Sequence, residues 1–271
     1  SGNGLHGQNF GAIPARDRFG NCGRAMYFNS SSINVPHDDR LNFTNDFSFA
    51  FWFQKEGATF GHVIGKGRDN QNAYYFTANN GPSQNIDAFS VYNAPQNMVL
   101  SSASTAAQEW HHVVCIYDKT DMMLYLYVDG VLAASETATN DFVFNNVHPL
   151  VLGRHCTIAN GCGAFPYFFK GWIDDVRLYA RALTPNDIAY LYNLPNDNPN
   201  LAPAAALTTS KPALCSGESV LLNASPVQTG YTYTWYRDGN LLTGATDTTY
   251  LATQPGNYQV RVSAAGCDSL S

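Results

Sequence analysis

Charged residues are scarce in this chain. Asp, Glu, Lys and Arg together make up 13% of its 271 residues, about half the share usual in soluble domains. The 15 Lys and Arg residues are dispersed, which argues against a nucleic-acid partner, since phosphate binding needs concentrated positive charge. No run of about 18 apolar residues occurs, so no segment has the pattern of a membrane-spanning helix. No Cys-x-x-Cys pair is present, which argues against a structural zinc site. Glutamate is rarer still: Glu56, Glu109, Glu136 and Glu218 are the only four, and none has an acidic residue two or four positions away. A retaining glycosidase needs two carboxylates about 5 Å apart, which on a strand means acidic residues sharing a face at such spacings. Asp38-Asp39 and Asp174-Asp175 are adjacent pairs and point to opposite faces. Gly-x-Ser-x-Gly is absent as well. The chain reads as a non-enzyme.

What is abundant is aromatic and apolar. Sixteen Tyr, 16 Phe and 4 Trp accompany a hydrophobic fraction of 45%, a composition suited to twisted sheets. Short strand-like segments recur from the N-terminus to about residue 194: 25–29, 47–55, 73–79, 88–93, 111–118, 123–130, 149–153 and 171–179. In the segment 124–128, Leu124, Leu126 and Val128 fall on one face and Tyr125 and Tyr127 on the other. Asp129-Gly130 predicts a type I′ hairpin turn, which needs positive φ at both central residues. One segment reads as helix, with Thr184 as N-cap and Pro185 in the first helical position. The Pro- and Asn-rich stretch 195–206 reads as a linker. Strands then resume at 219–225, 231–237, 248–253 and 257–263, with a second tight turn at Asp238-Gly239. The length and this break predict two domains, 1–194 and 207–271, in an all-β chain. Six Cys and little Lys or Glu point to an extracellular or cell-surface location. Cys156 and Cys162 flank a short Gly-containing loop that a disulfide would close, and Cys22 and Cys115 are either a further bridge or two buried thiols.

Several ordered stretches carry a family resemblance. SGNGLHG (1–7), DRFGNCGRAMYFN (17–29), FSFAFWF (47–53), EWHHVVCIYD (109–118), LYLYVDG (124–130), LVLGR (150–154) and FFKGWIDDVRLYARALTPNDIAYLY (168–192) together resemble the laminin-G-like branch of the concanavalin A-like lectin/glucanase superfamily. The resemblance implies a jelly-roll sandwich of two antiparallel sheets, with ligands on the concave face or rim loops and often a bound calcium. Relatives carry a strand before SGNGLHG, so the first strand is expected to be missing here. The glucanase pattern Glu-x-Asp-x-x-Glu is absent. The second module, through CSGESVLL (215–222), YTWYRDGNLLTGATDTTYLAT (233–253) and PGNYQVRV (255–262), is similar to immunoglobulin-like domains of large surface and secreted proteins of the Bacteroidetes group, often exported by the type IX route. That likeness makes Trp235 the core aromatic, Tyr258 a tyrosine corner and Cys215–Cys267 a disulfide, in an immunoglobulin-like β-sandwich expected to lack its last strand.

Two sites follow. The resemblance implies a structural calcium on Asp174, with Asn3 and His6 as carbonyl donors from the N-terminal loop; the alternative is that Asp174 only accepts hydrogen bonds from backbone amides. Calcium asks for several hard oxygen ligands. The stretch 154–171 combines aromatics with polar groups, as sugar recognition requires: Arg154, His155, Asn160, Phe165, Tyr167 and Phe168 are the candidate ligand-binding residues, unless the aromatics merely cap the core. Asn70, Asn72, Asn79, Asn80 and Asn85 offer a second polar surface, while His62, His148 and His155 read as isolated. The expected role is a carbohydrate-binding or adhesive module, its partner a glycan or cell-surface polysaccharide, with the second domain as spacer. Alternatives are a structural or protein-docking segment of a surface assembly, or an accessory module of a glycan-degrading enzyme.

Overall fold

The computed structural model describes residues 4–68, 71–80, 86–93, 96–155, 167–195, 205–211, 217–227, 230–264 and 267–271. The chain divides into two compact units, the first comprising residues 1–13 and 26–195 and the second residues 14–25 and 196–271.

Among the described residues, fourteen strands precede the α-helix: β1 (Gln8–Phe10), β2 (Ile13–Ala15), β3 (Ala25–Phe28), β4 (Ser32–Val35), β5 (Phe47–Lys55), β6 (Gly61–Arg68), β7 (Gln71–Asn80), β8 (Ile86–Asn93), β9 (Gln96–Ala103), β10 (Trp110–Asp118), β11 (Met123–Val128), β12 (Val131–Thr137), β13 (Leu150–Leu152) and β14 (Gly171–Tyr179). They form two seven-stranded sheets, in the orders β1-β4-β13-β6-β7-β8-β9 and β12-β11-β10-β5-β14-β3-β2. The core lies between them. Alternation along β5 sends Phe47, Phe49, Phe51 and Phe53 inward, against Tyr74, Phe76, Phe89 and Val91 of the facing sheet. The even positions are buried too, because Ala50 packs with Val114 and Ile116 under Leu183, Ile188 and Leu191. A strand covered on both faces reads as a continuous apolar run, which is why 47–53 shows so little polar relief.

The covering element is α1 (Pro185–Tyr192). Thr184 and Asp187 form a reciprocal capping box with Pro185 in the first turn, satisfying amides that a helix start otherwise leaves bare. The hairpin between β11 and β12 turns at Asp129 and Gly130, with φ of 51° and 77°, the pair of positive values a type I′ turn demands. β14 pairs with β3 only over Gly171–Ile173 and carries a bulge between Asp174 and Arg177. An apolar cavity of about 420 Å³ opens beside β14, lined by Leu5, Ile33, Val35, Leu152, Val176 and Leu178 among others.

The second unit contains β15 (Ala206–Thr209), β16 (Val220–Ser225), β17 (Thr232–Arg237), β18 (Asn240–Leu241), β19 (Thr249–Ala252), β20 (Tyr258–Ala264) and β21 (Cys267–Leu270). A three-stranded sheet β15-β16-β19 and a four-stranded sheet β18-β17-β20-β21 enclose a small core. β16 alternates strictly, Val220, Leu222 and Ala224 inward, and Trp235 sits at its centre, fully buried. The Tyr258 hydroxyl donates to the Gln254 carbonyl at 2.8 Å, the hydrogen bond that defines a tyrosine corner. β21 is a strand the sequence reading did not place.

The cysteine pairing corrects an expectation. Cys267 is bonded to Cys22, not to Cys215, across a sequence separation of 245 residues. Six cysteines allow fifteen pairings, and nothing local distinguishes this one. Cys115 is a free thiol buried in the core of the first unit; burial pushes its pKa well up. Cys156, Cys162 and Cys215 lie outside the described residues.

Candidate functional site

On the first sheet, residues whose neighbours in sequence point into the core turn their own side chains to the opposite face. Tyr74 and Phe76 are core residues, so Tyr75 between them faces away. Register then aligns Gly65, Tyr75, Ser90 and Val99 across β6, β7, β8 and β9. Gly65 is required by its neighbour: a Cβ there would lie 2.4 Å from the Cβ of Tyr75.

An aromatic cluster grows from this row. Tyr75 stacks on Tyr92 with ring centroids 5.6 Å apart and contacts the His62 ring at 4.8 Å. His62 in turn meets His155 edge-on at 4.4 Å and Tyr167 at 5.9 Å. Phe60 packs edge-on against Tyr167 at 5.1 Å. The segment after residue 166 is held on the start of β6: His62 N donates to the Tyr167 carbonyl at 3.0 Å, and Phe169 N to the Gly153 carbonyl at 2.9 Å. Gly61 permits this approach, since a Cβ would come within 2.5 Å of the Phe169 backbone. Arg154 lies with its guanidinium 5.7 Å from the Phe168 ring centre, within reach of a cation–π contact. Its Nε is buried without a hydrogen-bond partner among the described residues, and burial lowers its pKa. His62, Tyr75 and His155 are buried, whereas Tyr167 is 43% exposed and Tyr92, Phe168 and Phe60 are half-buried. The cluster is therefore a buried aromatic and imidazole floor bordered by one exposed ring, Tyr167, and three half-buried ones, an arrangement able to stack on a flat apolar ligand face.

Of the ligand-binding residues expected from sequence, Arg154, His155, Tyr167 and Phe168 come together here. Asn160 and Phe165 lie outside the described residues. His62 and His155, read as isolated, are in ring contact, a correction that follows from the 167–169 segment pairing onto β6. Tyr75, Tyr92 and Phe60 were missed; the alternation of β7 placed Tyr75 on a face, but only the register supplies its neighbours. Of the second polar surface, Asn79 is buried, Asn72 donates to the Asn145 carbonyl and Asn80 ends β7, while Asn70 and Asn85 lie outside the described residues. His111 and His112 separate as neighbours on a strand do. The His111 Nδ1 lies 2.7 Å from Asp129, while His112 packs against both rings of the stacked pair Trp52 and Tyr192.

For the metal site, Asp174 is buried on β14, where its Oδ1 accepts from the Asp175 amide at 2.7 Å. His6 is exposed and Asn3 lies outside the described residues. No group of three or more His, Cys, Asp or Glu converges among the described residues. Of the three expected donors only Asp174 is both described and buried; a calcium ion there would need its remaining oxygens from backbone carbonyls and water.

The fold defined by these sheets is a jelly-roll lectin type followed by immunoglobulin-like sheets. Residues 28–189 match the model of the concanavalin A-like lectin/glucanases superfamily, and the chain belongs to that family. Residues 203–271 match the model of an Ig-like domain, CHU_C associated. Comparison with curated proteins finds no match. Among solved structures, domain 4 of AbnA, an extracellular arabinanase from Geobacillus stearothermophilus, determined with arabinotriose, aligns with 21% identity and a TM-score of 0.50, covering 67% of this chain and 87% of that one. The binding domain of botulinum neurotoxin serotype D/C aligns with 13% identity and a TM-score of 0.54, covering 96% and 67%. The neurotoxin DC binding domain in complex with rat synaptotagmin II aligns with the same identity and score, covering 98% and 68%.

Proposed function

We propose that the first unit is a carbohydrate-binding module of a larger secreted or cell-surface bacterial protein, and that the immunoglobulin-like unit is its spacer. The observation that carries this reading is the aromatic face: exposed Tyr167 and half-buried Tyr92 and Phe168 offer stacking surfaces beside the Arg154 cation. The apolar cavity beside β14 is the weaker site, because a sugar needs several polar partners and in that mainly aliphatic lining only Arg177 and Tyr179 carry polar side-chain groups. The arabinotriose complex of the arabinanase domain supports a glycan, and the synaptotagmin complex of the neurotoxin domain makes a protein receptor the natural second outcome. The Cys22–Cys267 disulfide supports an oxidising, extracellular setting. Glu56 and Glu218 are each ion-paired to a lysine, consistent with a non-catalytic chain.

A glycan array that includes arabinotriose, run with calcium and with EDTA, tests the reading. Binding should fall up to about tenfold in Tyr167→Ala and in Tyr92→Ala, the worth of one aromatic contact. No glycan signal under either condition overturns it and favours protein docking. A calcium ion on Asp174 would be structural: it should raise the thermal midpoint of the wild type but not of Asp174→Ala, and an unchanged wild-type midpoint removes the metal.

A further inference from the structure

Two lysines are buried inside the first unit. Alternation along β5 makes Lys55 the next inward position after Phe53, and it is only 2% exposed. Asp87 stands on β8 two residues before the inward Phe89 and is 0% exposed. Asn79 would face outward on a regular β7, since Ala78 is the core residue. The bulge between Thr77 and Asn80, where Asn79 takes a φ of 57°, turns it inward to 3% exposure. Bulges re-aim side chains in this way.

The three groups meet. Lys55 Nζ lies 3.1 Å from Asn79 Oδ1, 3.3 and 3.4 Å from the two Asp87 oxygens, and 2.6 Å from Ser104 Oγ. The carboxamide is oriented, because its Nδ2 donates to the carbonyls of Gly57 at 3.1 Å and Thr59 at 3.0 Å. Its Oδ1 also accepts from the Ser104 hydroxyl at 2.8 Å. Asp87 is fixed by the Asn79 amide at 2.9 Å and by the Thr105 amide and hydroxyl, each at 2.8 Å. An amine, a carboxylate and a polarised amide carbonyl are thus held together away from solvent.

We propose that Lys55 and Asn79 form an intramolecular isopeptide bond, with Asp87 as the catalytic carboxylate. The Lys55 ammonium gives one proton to Asp87, and burial favours this by lowering the lysine pKa. The neutral Nζ attacks Asn79 Cγ. Ser104 donates to the oxyanion that develops on Oδ1. Collapse breaks the Cγ–Nδ2 bond, with a proton passing through Asp87 from the attacking to the departing nitrogen, which leaves as ammonia. Of the five protons first on the two nitrogens, one stays on the new amide, three leave with ammonia and one remains on Asp87. No oxidant is needed. The bond ties β5 of one sheet to β7 of the other. Lys66 is the internal contrast: its Nζ contacts Asn42 Oδ1 and Asn146 Oδ1, both at 2.8 Å, but no carboxylate hydrogen-bonds it among the described residues, so it has no base and stays free.

Mass spectrometry of the purified, disulfide-intact protein tests this. Once the two hydrogens lost per disulfide are counted, the wild type should be lighter than its sequence by one ammonia, and trypsin should release a branched peptide joining the Lys55 and Asn79 segments, uncleaved after Lys55. Lys55→Met and Asp87→Asn should each restore the full mass. A succinimide at Asn80-Gly81 would lose the same mass but leave Lys55 cleavable, so mass loss without the branched peptide overturns the proposal. So do linear Lys55 and Asn79 peptides from wild type that is folded by circular dichroism, whether or not either variant folds.

Discussion

Replacing Lys66 by Met should make the stability of the first unit less dependent on alkaline pH. The Lys66 ammonium is fully buried and donates to three neutral oxygens, Asn42 Oδ1, Asn146 Oδ1 and the Asn146 carbonyl. Loss of hydration is the dominant influence and brings its pKa from 10.5 to about 8, with the Asp39 carboxylate opposing. Below pH 8 the lysine is protonated whether the chain is folded or not, and the folded state carries the whole desolvation cost. Between pH 8 and 10.5 the unfolded chain binds the extra proton, so stability rises with pH. The depression corresponds to a ceiling of about 3 kcal/mol at 1.36 kcal/mol per pH unit; structural relaxation and water penetration around the buried charge bring the expected change to about 1–2 kcal/mol.

The Met variant removes the titration and leaves most acceptors satisfied, since Asn42 Oδ1 still accepts from the Asn146 amide and Asn146 Oδ1 from the His148 amide. Urea unfolding of both proteins at steps from pH 7 to 10.5 isolates the effect, because tyrosines such as Tyr74, whose pKa burial also raises, titrate alike in both. Wild type should gain on the variant by about 1–2 kcal/mol as pH rises. Parallel curves would refute the desolvation argument. A wild type that loses ground with pH would mean that the oxygen cage stabilises the ammonium instead.

Other outcomes follow from packing and covalent connection. Trp235→Ala should cost the second unit about 3–5 kcal/mol, removing its calorimetric transition while that of the first unit persists, because Trp235 fills the smaller core and its Nε1 donates to the Asp247 carbonyl. Cys22→Ser should lower the second unit's thermal midpoint, with a chain-entropy ceiling of about 5 kcal/mol for so long a loop; a reductant should do the same to wild type and nothing to the variant. Gly65→Ala should cost about 1–3 kcal/mol through overpacking against Tyr75 and change the near-ultraviolet circular dichroism of the aromatic cluster.

Most of the fold was legible where local chemistry decides it. β5 and β14 were bounded correctly from sequence, one by its phenylalanine alternation and the other by a polar and apolar run ending at a turn. Asp129-Gly130 and Asp238-Gly239 each adopt the paired positive φ that their side chains tolerate. Thr184 and Pro185 open the helix as expected. β1 and β2 escaped because they are short and largely exposed, so no burial pattern marks them. β9 escaped because Gln, Asn and Ser dilute its alternation. β21 was hidden beyond the strand end assigned at Ser263, and its cysteine pairs 245 residues away.

The sites divide along the same line, and the division has a physical cause. Residues 154–168 announced their aromatics because those lie close together in the chain, but His62, Tyr75 and Tyr92 reach the same place from three strands whose register no local pattern records. The Lys55 cluster is sharper still. One half of it stood in the sequence: in FSFAFWFQK the inward positions are every second residue from Phe47, and the fifth of them is a lysine, which cannot remain buried and charged without partners. That alternation alone demands a carboxylate or carbonyl opposite. It does not say which, because Asn79 becomes a partner only through a bulge that reverses its face. A buried polar residue in an otherwise apolar alternation is therefore a sequence-level demand whose answer only the tertiary register supplies, and here the answer places an amide carbon beside an amine and a base.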